Sequence, residues 1–282
     1  MDMEQTDDLS PEAIVAALRA LGLSSGVTVL AHSSLSSLGR VRGGAEAVID
    51  ALLAAVSPGG TVLVPTLTGT PRDSLACPPV FDPRTSPCWT GVVPDTFRRR
   101  PTSRRSRHPT HSVAGIGPHA ATLLAAHEYC ATPCAADSPY GRLADSGGLI
   151  LLLGVTHASN TCLHMLEEVA RVLYHLQPKP AHARVARVDG TWEEIATVLH
   201  LWRWERNFPK VEPLLRDASV QRDGLVGRAP SRLVDVGAMR ETLLTVLHRD
   251  PLFLLSDAAR AVYEQSAPPG APHRSSPVDL LS

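Results

Sequence analysis

The octapeptide TCLHMLEE, residues 161–168, sets an imidazole and a carboxylate three positions apart. On a helix, His164 and Glu167 share a face, and Glu168, four positions on, is also near. A carboxylate beside an imidazole fixes its tautomer and raises its basicity, which suits a general base. The same spacing occurs on solvated helix surfaces. Here Leu163 and Met165 flank the histidine, and the apolar run GGLILLLGV stands directly ahead. These neighbours predict a part-buried pair at a sheet edge.

Two further stretches could bind an anion. RRRPTSRRSRHPTHS holds six arginines between Arg98 and Arg107, followed by His108, His111 and Ser112. Guanidinium forks bind phosphate oxygens well. The run contains no aromatic residue, so stacking on bases has little support and a phosphorylated cofactor fits better than nucleic acid. A solvated charge run is the plainer alternative. LAHSSLSSLGRVRGG, residues 30–44, ends an apolar run in small hydrogen-bonding groups and then supplies Gly43 and Gly44 ahead of a helical pattern. Glycine lets backbone approach a ligand closely, and a helix N-terminus offers free N–H groups to an anion. A tight strand-to-helix turn would read the same way, because neither of the glycine-rich nucleotide fingerprints is present.

Other chemistries find less support. His108 and His111 are three apart, and His157, His164 and Glu167 are close in sequence, but no HExxH or cysteine-pair spacing exists, so no metal is expected. Cys162 lies two positions from His164 and on a helix points elsewhere. A GxSxG elbow is absent.

The elements that position these residues follow from periodicity. Ser10 and Pro11 open a helix over SPEAIVAALRALGL. VTVLAH, a helix over GGAEAVIDALLAAV and TVLVPTLT together form a βαβ-like unit. Residues 69–91 carry no period and read as a long loop. A short helix over VVPDTFRRR, a strand at HSVAGIG and a helix over PHAATLLAAHE follow. GGLILLLGV is the most buried strand, and its helix is predicted from about Asn160 to Tyr174. AHARVARVDGTWEEIATVL reads as a hairpin turning at Asp189–Gly190. Two helices, near 235–250 and 257–265, close the chain. Residues 1–265 are expected to form one domain and 266–282 a disordered tail.

Composition fits these elements. The chain has 282 residues, 44% hydrophobic, with formal net charge −1, which provides a sizeable core and no nucleic-acid signature. No apolar run reaches membrane-spanning length, and MDMEQTDDLS is unlike a secretory signal. Five cysteines without CxxC spacing predict free thiols and a cytoplasmic setting.

Taken in order, HSSLSSLGRVRGGAEAVIDAL, GTVLVPTLT, RSRHPTHSVAGIG, SPYGRL, LLLGVTHASNTCLHMLEE and GRAPSRLVD resemble the aminoglycoside 3-N-acetyltransferase family from about residue 10 to 255. The resemblance implies an α/β fold with a central mixed β-sheet flanked by helices. It implies acetyl-CoA, or another acyl-CoA, as co-substrate and a small-molecule amine as acceptor, with no nucleic acid or membrane partner and a homodimer left open. By position, His164 and Glu167 correspond to the family's catalytic pair. His32, Ser33, Ser34 and Leu35 would meet the thioester and pantetheine. Val41, Gly43, Gly44, Arg104, Ser106, His108 and Ser112 would meet the coenzyme, its phosphates in particular. Asp73, Thr161 and Glu205 would face the acceptor. Backbone N–H groups near Ser34 and Leu35 would hold the oxyanion.

Two rival functions come from the residues themselves. Loop 69–91 sets Asp73 and Asp82 against Arg72 and Arg84, and LHLWRWERNFPKVE sets Arg203, Arg206 and Lys210 against Glu205 and Glu212. This balance suits a biosynthetic acyltransferase on a less cationic amine or alcohol, with Trp202 and Trp204 lining its pocket. The other rival is a CoA-binding module that has lost catalysis.

Overall fold

A computed structural model describes residues 8–266. In chain order the main elements are α1 (Pro11–Leu21), β1 (Thr28–Ser33), α2 (Gly44–Val56), β2 (Thr61–Pro65), β3 (Val80–Phe81), α3 (Val92–Arg98), β4 (Arg104–Arg105) and β5 (Val113–Ile116). Then come α4 (Ala120–Leu124), α5 (Pro139–Asp145), β6 (Leu149–Leu153), α6 (Cys162–Val169), β7 (Ala181–Ala186) and β8 (Trp192–Thr197). The chain continues through α7 (Glu212–Asp217), β9 (Gln221–Val226), β10 (Ala229–Asp235), α8 (Val236–Arg249) and α9 (Asp257–Ser266).

Seven strands form one mixed sheet in the order β4-β5-β2-β1-β6-β10-β9. Its centre, β2-β1-β6, is parallel, and β5 and β10 flank it antiparallel. The alternation of side chains on these strands divides the core in two. Val29, Ala31, Leu151 and Leu153 pack with Ile14, Leu18 and Leu52 on one face. Leu30, Ile150 and Leu152 pack with Leu163, Leu166 and Met239 on the other. Buried on both faces, β6 needs the unbroken apolar run that marks it in the sequence. A second sheet, β3-β7-β8, carries the hairpin, with Gly190 at φ 88° in its turn.

Most predicted elements are present. Ser10 caps α1 by accepting the Ala13 N–H at 3.2 Å. The β9–β10 hairpin has no clear strand period in its first arm: β9 lies at the sheet edge, and QRDGLV exposes Arg222, Asp223 and Leu225 while burying Gln221 and Val226. Loop 69–91 contains β3, which pairs with β7. The expected disordered tail is corrected at its first residue, since Ser266 ends α9; residues 267–282 lie outside the described residues.

The helix predicted to Tyr174 stops at Val169. Arg171 takes the left-handed conformation, φ 54°. Its N–H bonds to Glu168 O at 3.0 Å, and that of Val172 to Glu167 O at 3.1 Å. This is a Schellman stop built on arginine, where glycine is usual, so residue type gave no warning of it. The reversal sends the chain back along its own helix and brings His175 against Glu167.

Candidate active site

Parallel β1 and β6 end at the same sheet edge, where the Ser34 N–H donates to Leu153 O at 2.9 Å. From β6 the chain passes Gly154, a turn at His157–Ser159 and the N-cap Thr161 into α6. One turn of helix then places His164 Nδ1 2.7 Å from Glu167 Oε2. The carboxylate can only accept here, so Nδ1 carries the proton and Nε2 has the lone pair a base requires. The His164 side chain is 23% exposed and that of Glu167 fully buried.

Glu167 is held from three directions. His175 Nδ1 lies 3.0 Å from Oε2, and the Arg206 Nε–H donates to Oε1 at 3.2 Å. Burial pushes the Glu167 carboxyl up, but His175, His164 and Arg206 outweigh it and hold the group at about 2. Burial drives His175 down to about 3, leaving it neutral. Arg206 is therefore the permanent positive charge facing this buried carboxylate. Replacing it, Arg206→Met, is expected to lower stability by about 3–5 kcal/mol, the cost of orphaning a buried charge. Thermal unfolding of this variant beside wild type measures the effect, and an unchanged Tm would remove Arg206 from that role.

Glu168 faces another set of partners. It accepts from the Cys134 N–H and from Thr132, and lies 2.9 Å from His200 Nε2. Burial raises it to about 8, against the pull of Thr132 and Cys134. The His164 ring stacks on His175, centroids 5.1 Å apart and planes at 15°, and stands 4.9 Å from His200 and 6.3 Å from His111. Sequence reading missed Arg206 as a partner of the pair, and missed His175 and His200. None has a local signal, because each is brought in by a turn or by the second sheet.

A cleft of about 490 Å³ is lined by Ser33, Ser34, Leu35, Val41 and Gly44, together with Ser36, Gly39, Gly91 and Val92. Gly43 lines a second one of about 460 Å³ with Ala45, Glu46, Arg99 and Arg100. Both contain the first residues of α2, where Gly43 and Gly44 have φ of 85° and 60°. Left-handed backbone there explains the glycine pair. The Ser33 hydroxyl is buried without a partner.

Other expected coenzyme contacts are placed elsewhere. His32 alternates with Ser33 and is buried, its Nε2 unpartnered; it does not line the cleft. Ser106 and Ser112 are interior: Ser106 Oγ meets His127 Nδ1 at 2.9 Å, and Ser112 Oγ donates to Thr66 O at 2.7 Å. His108 is fully buried, its Nδ1 accepting the His111 N–H at 3.1 Å. These three build the strand junction, so direct phosphate contact is corrected for them. Arg104 is exposed on β4, the edge strand, and lines neither cleft. Most of the arginine run is internally paired: Arg98 and Arg99 with Asp95, Arg100 with Glu46 and Asp50, Arg107 with Glu128 and Glu193. Arg99 and Arg100 are the ones that reach a cleft. The oxyanion expectation narrows as well, because Leu153 already takes the Ser34 N–H.

On the acceptor side, Thr161 is buried at the start of α6. Asp73 accepts the Thr70 N–H at 2.6 Å within its loop, and Glu205 accepts from Ser256 Oγ at 2.8 Å at the surface. Among the described residues no hydrogen bond joins these three to one another. Trp204 packs edge-on against Tyr263, with ring centroids 5.1 Å apart; Trp202 is exposed.

A mixed α/β sheet whose one edge carries both a histidine bonded to a buried carboxylate and a glycine-lined cleft has the parts that group-transfer chemistry needs. The family model for aminoglycoside 3-N-acetyltransferases matches residues 30–248, and the chain belongs to that family. It is an acyltransferase, with acetyl-CoA as co-substrate. Aminoglycoside N(3)-acetyltransferase IV of Salmonella sp is 35% identical over 244 residues, covering 86% of this chain and 88% of that protein. A histidine-to-alanine mutant of aminoglycoside acetyltransferase AAC(3)-IVa in complex with a gentamicin superposes with a TM-score of 0.78 at 33% identity, covering 92% of this chain and 99% of the other. A binary complex of AAC-IIIb with CoASH gives 0.74 at 27% identity, covering 85% and 96%. Among the described residues no helix is long and apolar enough to cross a membrane.

Proposed function

We propose that this chain acetylates an amine of an aminoglycoside by direct transfer from acetyl-CoA, with His164 as the general base. One observation carries the reading: the Nδ1 bond to buried Glu167 leaves Nε2 of a part-exposed ring as the basic atom. As the amine nitrogen closes on the thioester carbonyl, Nε2 takes its proton. The C–S bond breaks, the proton passes to the departing thiolate, and the products are the amide and CoA thiol. Glu167 stabilises the imidazolium formed between these events. The 490 Å³ cleft would hold the pantetheine, with the unpartnered Ser33 hydroxyl available to it. The phosphates would lie at the N-terminus of α2, near Arg99 and Arg100. The Leu35 N–H is the remaining donor for the oxyanion. All five cysteines are free, which suits the reducing cytoplasm.

A less cationic acceptor is the second reading. It is favoured by how many carboxylates are already paired within the chain: Glu128 and Glu193 by Arg107, and Glu212 by Arg216 and Arg232. CoA-thiol release measured over a panel of aminoglycosides and simple amines separates the cases. Aminoglycoside-dependent release is expected. Release with simple amines alone would overturn the acceptor, and CoA binding without release would leave a non-catalytic module.

A further inference from the structure

Three side chains from three separate segments converge beside His164 and take no part in the transfer just described. They are His111 ahead of β5, Cys134 in the loop before α5, and His200 after β8. One ring nitrogen of each histidine and the cysteine sulfur lie within 4.8 Å of one another, and all three residues are buried. Hydrogen bonds occupy only one nitrogen of each ring. His111 Nδ1 meets Thr110 Oγ1 at 2.9 Å, and His200 Nε2 meets Glu168 Oε1 at 2.9 Å. Nε2 of His111 and Nδ1 of His200 make no hydrogen bond among the described residues and would be the ligand atoms. Metal-bound imidazoles show the same arrangement, the second nitrogen being fixed by a protein oxygen. Glu168 also accepts the Cys134 N–H, at 2.9 Å, so one carboxyl group steadies two of the three ligands. Burial holds both imidazoles in the neutral form that a metal requires.

We propose that His111, Cys134 and His200 form a binding site for a thiophilic divalent cation of the zinc class, adjacent to His164 but not including it. Two nitrogens and a sulfur select such an ion over calcium or magnesium, and leave a fourth position for water. Binding exchanges the thiol proton for the metal: the S–H bond breaks, the S–metal bond forms, and one proton goes to solvent. The neighbouring rings stand 4.9 Å and 6.3 Å from His164. A dication there opposes the positive charge that His164 acquires as base, and repels a cationic amine. Loading therefore inhibits acyl transfer.

His164, His175 and His200 form a second set within 4.8 Å. Its geometry is poorer. The His164 and His175 rings are nearly parallel and both turn Nδ1 toward Glu167, so their remaining lone pairs do not aim at one point.

Cobalt(II) titration of the chelator-treated full-length protein separates the two sets without any turnover measurement. The expected result is a one-equivalent tetrahedral spectrum with a thiolate-to-cobalt charge-transfer band. The band persists in His164→Asn and is lost in Cys134→Ser. His111→Asn and His200→Asn each remove a ligand and weaken zinc binding by more than about 100-fold, beyond the loss that removing a group behind a ligand causes. Zinc inhibits the wild type, and a chelator restores activity. A missing band, a band that survives in Cys134→Ser, or one that disappears in His164→Asn would each overturn the site. Where Cys134→Ser does not fold, Cys134→Ala and His111→Asn carry the same readout.

Discussion

Replacement of His164 by alanine is expected to reduce kcat by about 10²–10⁴-fold, the usual contribution of a positioned general base. CoA binding should survive, because the residues lining the glycine-rich cleft come from the end of β1, its connection to α2, the start of α2 and the segment around Gly91, none of them on α6. Stability should change little, since the ring is part-exposed and Glu167 keeps Arg206 and His175. Steady-state turnover and calorimetric CoA binding on the same preparation make the test. Near-normal turnover would remove His164 as the base. Lost CoA binding would mean that the substitution had disturbed the cleft, and activity could then not be assigned to proton transfer. Glu167→Gln is the companion variant: it keeps the shape of the side chain but removes the charge that stabilises the imidazolium.

Acidification is expected to unfold the protein between pH 7 and pH 5. Burial drives the rings of His32, His127 and His175 down to about 3, and those of His108, His111 and His200 well below the ordinary value. For each, the native pKa lies below the unfolded value of about 6.5. The unfolded chain therefore binds more protons as pH falls through 6.5, and stability is lost progressively from there toward 3. At pH 5 each of the first three rings costs roughly 2 kcal/mol. The other three act in the same direction. Total domain stability is about 5–15 kcal/mol, so the combined effect is decisive. Glu168 acts oppositely. Its pKa is raised to about 8, so its contribution grows as pH falls from 8 toward 4.5, but it is one group against six. Tm followed from pH 7 to pH 5 should drop steeply, and a flat profile would mean that these rings accept protons in the native state.

The legible part of the site is the part whose contacts are local. His164 and Glu167 meet because three residues make most of a helical turn, and TCLHMLEE carries that geometry in any helix. Gly43–Gly44 is legible for a similar reason, because positive φ at a strand-to-helix turn restricts residue type. The arginine run misled because charge says nothing about partners. Asp95, Glu46, Asp50, Glu128 and Glu193 neutralise most of it within the fold. Ser106, His108 and Ser112 are polar by type yet buried, each satisfied by groups that the sequence places elsewhere.

By itself, the amino-acid sequence determined the alternation of strands and helices, the βαβ centre, the glycine turn and the His–Glu pair. Each depends on a period or a spacing shorter than one element. Tertiary structure alone decided what surrounds that pair. Arg171, rather than a glycine, turns the chain back so that His175 reaches Glu167. Arg206, from a segment 39 positions away, supplies the charge. His111, Cys134 and His200 meet only where the strand junction, the loop before α5 and the second sheet converge. Such contacts join residues far apart in the chain, and their geometry is set by the packing of whole elements, which local residue patterns do not encode.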